Sequence, residues 1–112
     1  MSMELCKCHN PPILYSDYTE NYIGTDETKG RFGEVTINKC NYCNSFWLHY
    51  FVEYEHRSRS GRWYRGLITE KDLKSITPEN SIDYLKSIDW FLYGGSYFQT
   101  TGKRGSGDIF VD

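Results

Sequence analysis

The sequence predicts an α+β chain, an antiparallel β-meander with one main helix packed on it, organised as a single domain over residues 1–112. Three observations lead there. The chain has no alanine, the best helix former, and is rich in Tyr, Phe, Ile and Thr, which suit strands. Residues 32–39 and 45–56 carry alternating patterns, and after a turn at 57–61 residues 62–69 return as a partner strand. Helical spacing of apolar residues is convincing in one stretch, which opens on a capping sequence at Thr77-Pro78 and closes on Gly94-Gly95.

Composition bounds the rest. Three Trp, ten Tyr and six Phe exclude disorder as the default for a chain of 112 residues. Lys+Arg is 13 against Asp+Glu 15, which disfavours a strongly basic nucleic-acid binder. No apolar run approaches the roughly 18–20 residues of a membrane span, so no membrane association is expected. Met1 to Cys6 carries no basic region followed by an apolar stretch, so the expectation is a cytoplasmic chain without a secretory signal. Leu, Ile, Val and Phe together give 24 residues, a thin core that calls for a staple.

Taken in order, residues 1–12 hold a first cysteine turn and an extended path at Pro11-Pro12. Residues 13–31 read as a long polar connection, the segment expected to move most, with a short strand near Ile13 to Tyr15. Residues 32–39 form a strand that runs into a second cysteine turn. In 45–56, Phe46, Leu48, Tyr50, Val52 and Tyr54 make an apolar face, while Trp47, His49, Phe51, Glu53 and Glu55 make a mixed one. Residues 57–61 turn the chain and 62–69 return it. A short helical turn capped by Thr69 follows. In the main helix Ile82, Leu85, Ile88 and Leu92 form the stripe, widened by Tyr84 and Phe91. The tail is a flexible basic run with Gly102, Gly105 and Gly107, and Asp108 to Asp112 could add a last strand.

The four cysteines supply the staple. Cys6 and Cys8 form one close pair and Cys40 and Cys43 another. Zinc binds thiolates at about 2.3 Å, and a tight turn offers two sulfurs to one ion, so two turns close a tetrahedron. Lys7, His9 and Lys39 flank the ligands and offset the site's negative charge. With four thiolate ligands no position stays open, and the metal is structural. His9 is a candidate to replace one cysteine. Disulfides between the pairs are an alternative that needs an oxidising compartment; four unrelated thiols are the other.

These pairs, the second on a knuckle between strands, resemble the zinc-ribbon class of structural zinc sites over residues 5–69. The resemblance departs from the usual pattern in its first pair, C-x-C instead of C-x-x-C, and in its long insert. Through its size, aromatic content and the Gly94-Gly95-Ser96-Tyr97-Phe98 segment, the whole chain is similar to small bacterial proteins of unknown function from toxin-immunity neighbourhoods. That resemblance implies an immunity-type inhibitor.

Four features could carry function. Arg57, Arg59, Arg62 and Arg65 with Trp63 and Tyr64 could grip phosphates and stack bases; the plainer reading pairs these arginines with Glu53 and Glu55. Tyr15, Asp17, Tyr18, Glu20 and Tyr22 offer tyrosines and acids to a basic protein partner; the plainer reading is a solubilising loop. The Gly94-Gly95 segment lacks the helix start that a phosphate cradle needs. Catalysis finds no spare cysteine, no H-E-x-x-H and no G-x-S-x-G. The expectation is a non-catalytic, zinc-stabilised protein-binding module, with a nucleic-acid-binding zinc ribbon as the alternative.

Overall fold

A computed structural model describes residues 15–28, 32–53 and 61–109. They build one six-stranded antiparallel sheet in simple meander order. The strands are β1 (Tyr18–Asp26), β2 (Gly33–Cys40), β3 (Phe46–Val52), β4 (Arg62–Ile68), β5 (Phe91–Gly95) and β6 (Thr100–Gly105). The one α-helix among the described residues, α1 (Ser81–Ser87), lies between β4 and β5 in the chain and packs on one face of the sheet.

The expected β2, β3 and β4 are present within a few residues of their predicted bounds. Their period of two sorts the side chains. Val35 and Ile37 of β2, Leu48 and Tyr50 of β3, and Tyr64 of β4 point to the helix side and meet Ile82 and Leu85 of α1. Each leucine-sized side chain so buried contributes on the order of 1.5–3 kcal/mol. Gly66 lets the helix approach: a Cβ there would lie 2.3 Å from Ile88 Cδ1 and 2.9 Å from Leu85 Cδ2. Gly33 likewise leaves room for the Tyr50 ring, whose hydroxyl donates to the buried Asp26 carboxylate at 2.7 Å.

Three expectations are corrected. The polar connection over 13–31 contains a nine-residue strand, β1, paired with β2 from Tyr18↔Cys40 to Asp26↔Gly33. It is an edge strand with much of its length open to water, so its sequence stays polar and hides its period. A bulge at Ile23, where the register shifts between Tyr22 and Gly24, interrupts that period further. Of the short strand expected near Ile13 to Tyr15, Tyr15 opens a 3₁₀ turn (Tyr15–Asp17), and the rest lies outside the described residues.

The second correction concerns the helix. Thr77 is the N-cap and Pro78 opens the turn as expected, and Asn80 completes a capping box not expected from the sequence. A 3₁₀ turn (Pro78–Asn80) then leads into only seven α-helical residues. Ile88 is already extended, with φ −85° and ψ 161°. Phe91 to Gly95 is a strand, in which Phe91 and Leu92 face opposite sides and join different apolar clusters. Leu92 matched the helical stripe by coincidence of spacing. Gly94-Gly95 is therefore no helix stop. Gly95 has φ +118°, and a Cβ on it would lie 2.5 Å from the Gly61 carbonyl oxygen.

Third, the glycine-rich tail is β6 through Gly105, paired with β5 from Phe91↔Gly105 to Gly95↔Thr100. Asp108 and Ile109 lie outside any strand, and Phe110 to Asp112 lie outside the described residues. The turn capped by Thr69 is present: Asp72 N–H donates to Thr69 Oγ1 at 3.2 Å.

Candidate functional site

The second cysteine turn joins β2 to β3, as its sequence predicts. Cys40 N–H donates to Ser45 O at 2.9 Å, and Asn44 N–H to Cys40 O at 3.0 Å, which closes a tight knuckle. Asn44 takes φ +62°, a left-handed conformation that asparagine tolerates better than most residues. Within the knuckle, Tyr42 N–H lies 3.5 Å from Cys40 Sγ. A backbone N–H directed at sulfur is the kind of outer contact that surrounds a metal-bound cysteine. Cys40 is buried and Cys43 exposed, with Cys43 Sγ 3.0 Å from Ser45 Oγ.

The chain just before β1 buttresses this turn. Asp17 O accepts from Asn41 N–H at 2.9 Å, and Asp17 Oδ1 accepts from Tyr42 Oη at 3.1 Å. Thr19 Oγ1 donates to Asn41 Oδ1 at 2.9 Å. Asp17 and Tyr18 are thus buried and not offered to a partner. No group of three His, Cys, Asp or Glu side chains able to hold a metal forms among the described residues. Cys6, Cys8 and His9 lie outside them.

The arginine set divides similarly. Arg57 and Arg59 lie outside the described residues. Arg62 is buried, its guanidinium carbon 4.6 Å from the Tyr97 ring centroid. Arg65 is fully buried, 4.5 Å from the Tyr18 ring and 5.3 Å from that of Trp47. Neither is displayed to solvent as a phosphate contact would need. Trp63, half-buried, packs against the cluster of Tyr18, Cys40, Trp47 and Leu92 and lies 6.1 Å from the His49 ring.

Arg65 belongs to the face of the sheet opposite α1. That face buries Trp47, Cys40 and Leu92, and also Asn38, whose side-chain amide has no hydrogen-bond partner. Beside them, toward β1, the face opens into a cleft of about 290 Å³ lined by Glu20, Glu34, Thr36, His49 and Phe51. The register builds it: Glu34 lies opposite Phe51 and Thr36 opposite His49, while Glu20 comes from β1 opposite Asn38.

Burial, and secondarily the Arg65 charge, hold the His49 pKa down to about 3. A histidine so depressed stays neutral at physiological pH and is a weak base for proton transfer. It keeps the hydrogen-bonding capacity of a neutral imidazole. The cleft is chemically suited to recognition. Its residues were not grouped by sequence reasoning; the available signal was the hairpin register about the Asn41–Asn44 turn, which sets Glu34 opposite Phe51.

Tyr22, next to the cleft on β1, is 58% exposed, and its hydroxyl bonds to Thr25 Oγ1. On the helix side a hollow of about 280 Å³ is lined by Tyr64, Phe91, Tyr93, Phe98 and Asp108, among others. Its rings pack on one another, mostly edge to face, at 4.8 to 6.3 Å. Their faces are largely used within the core. Among the described residues no helix is long and apolar enough to cross a membrane. Compared with known proteins, the chain matches no family model, no curated protein and no solved structure.

Proposed function

We propose that this chain is a small zinc-stapled binding protein that covers part of a protein partner and performs no chemistry. One observation carries the reading: the acidic and aromatic surface on β1 to β3, where Glu20, Tyr22 and Glu34 are exposed around a cleft. Aromatic residues that bury area at little entropic cost, beside charges that steer a basic partner, are the usual material of such an interface. An immunity-type inhibitor acting by occlusion is one version of this mechanism.

The staple rests on the knuckle. Its tight closure, the left-handed Asn44 and the donor aimed at Cys40 Sγ suit a thiolate pair holding zinc. Cys6 and Cys8 complete the ligand set in this proposal, and the metal would tie the N-terminal turn to the sheet.

Affinity capture from the source cells tests the function, comparing the wild-type chain with a Tyr22→Ala, Glu20→Lys variant. The wild type should retain a protein partner through a wash at about 200 mM salt, where phosphate-dominated binding weakens by orders of magnitude, and the variant should lose it. Equal retention by both chains, or recovery of nucleic acid alone, would overturn the proposal.

A further inference from the structure

The cleft holds more chemistry than surface charge. Glu20 and Glu34 reach it from neighbouring strands, and among the described residues neither carboxylate has an ion-pair or hydrogen-bond partner. Between them stand the Thr36 hydroxyl and the His49 imidazole, with the Phe51 ring as an apolar wall. His49 is half-buried and lines the cleft, and among the described residues its ring has no hydrogen-bond partner. Deeper on the same face, the fully buried Asn38 amide is also without a hydrogen-bond partner. Two unengaged carboxylates and an unengaged neutral imidazole make a set of acceptors with an aromatic wall.

From this geometry we infer that the cleft takes the guanidinium group of an arginine side chain presented by the protein partner. A guanidinium is planar, carries five donors and stacks on aromatic faces. It can meet both carboxylates, lie against Phe51 and donate to the imidazole. An ammonium group offers a compact charge and lacks the flat face. Arg65 adds a positive charge behind His49, yet it is buried against the Tyr18 and Trp47 rings. At the cleft it adds to the burial that already holds His49 uncharged, and so an acceptor.

This inference rests on the reading of the chain as a protein-binding module, and its test separates the two. The full-length, isotope-labelled protein is titrated with N-acetyl-arginine amide, its lysine counterpart and the neutral citrulline counterpart, followed by backbone NMR shifts. The arginine compound should give saturable shifts centred on Glu20, Glu34 and His49, with millimolar affinity. The lysine compound should bind several-fold more weakly, and the citrulline compound should leave those residues unmoved. The Glu20→Gln, Glu34→Gln double variant, altered only at two exposed positions, should keep its spectral dispersion and bind arginine about tenfold more weakly, a change of about 1.4 kcal/mol.

Equal binding of lysine or citrulline, no saturable shift, or unchanged binding by the double variant would overturn the assignment. If one of these results is found while the wild-type chain still captures its partner, the arginine assignment fails and the binding module stands. Loss of both results removes the module as well.

Discussion

The two faces of the sheet are built on different terms. The helix side buries aliphatic and aromatic side chains that meet α1, and the buried Asp26 carboxylate there is held by the Tyr50 hydroxyl. The opposite side buries a tryptophan and a leucine together with an arginine and an asparagine amide, and it opens into an acidic cleft. Buried polar groups cost stability unless they are well satisfied. The helix side satisfies its Asp26 carboxylate internally. The opposite side leaves the Asn38 amide without a hydrogen-bond partner among the described residues and gathers exposed carboxylates at its cleft. The fold is thus secured on the helix side, and recognition falls to the other.

The largest expected effect sharpens the contrast from the helix side. Leu85→Ala should destabilise the protein by about 3 kcal/mol in urea denaturation, as a fully buried leucine truncated against a packed sheet does. It should leave arginine binding to the folded protein unchanged. A loss below about 1 kcal/mol would mean that α1 contributes little.

Next comes acid sensitivity, which belongs to the other face. The unfolded chain takes up the His49 proton near 6.5, whereas the folded chain does so only near 3. Between these values the unfolded state binds more protons, so stability falls as pH drops, by about 1.4 kcal/mol per unit well below 6.5. Between pH 7 and pH 5 wild type should lose up to about 2 kcal/mol more than a His49→Gln variant. Matching curves for the two proteins would contradict the burial of a neutral His49.

A finer probe is Arg65→Met. Removing that charge should raise the His49 pKa, with the value still below 6.5 because burial is the larger cause. Imidazole NMR titration reads this directly, and an unchanged value would show that the Arg65 charge does not reach the ring. The smallest effect is Thr77→Ala, which removes the hydroxyl oxygen that accepts from Asn80 N–H and should cost about 1 kcal/mol without altering the cleft.

What the sequence made legible follows the same division. The strands β2 and β3 declare themselves through alternation, β4 as the return after the turn at 57–61, and the knuckle through its cysteines and asparagines. The cap at Thr77-Pro78 is equally plain. β1 is concealed because an edge strand needs few apolar residues and because its bulge at Ile23 breaks the alternation. The helix is over-read because Leu92 falls at helical spacing from Ile88, although Phe91-Leu92-Tyr93 serves as a strand with two buried sides.

The cleft is harder still. Glu20, Glu34 and His49 lie on three different strands, and only cross-strand register brings them together. Arg65 shows the limit of composition: an arginine near a turn reads as a surface cation, yet here it sits among aromatic rings beneath the sheet face.

The staple that would hold the N-terminal turn to this sheet is tested most directly by the metal content of the purified, tag-free protein, measured by elemental mass spectrometry with a free-thiol count on the native chain. The account predicts one zinc per chain and no readily reactive thiol. No metal and four reactive thiols would contradict it and leave the knuckle an ordinary turn.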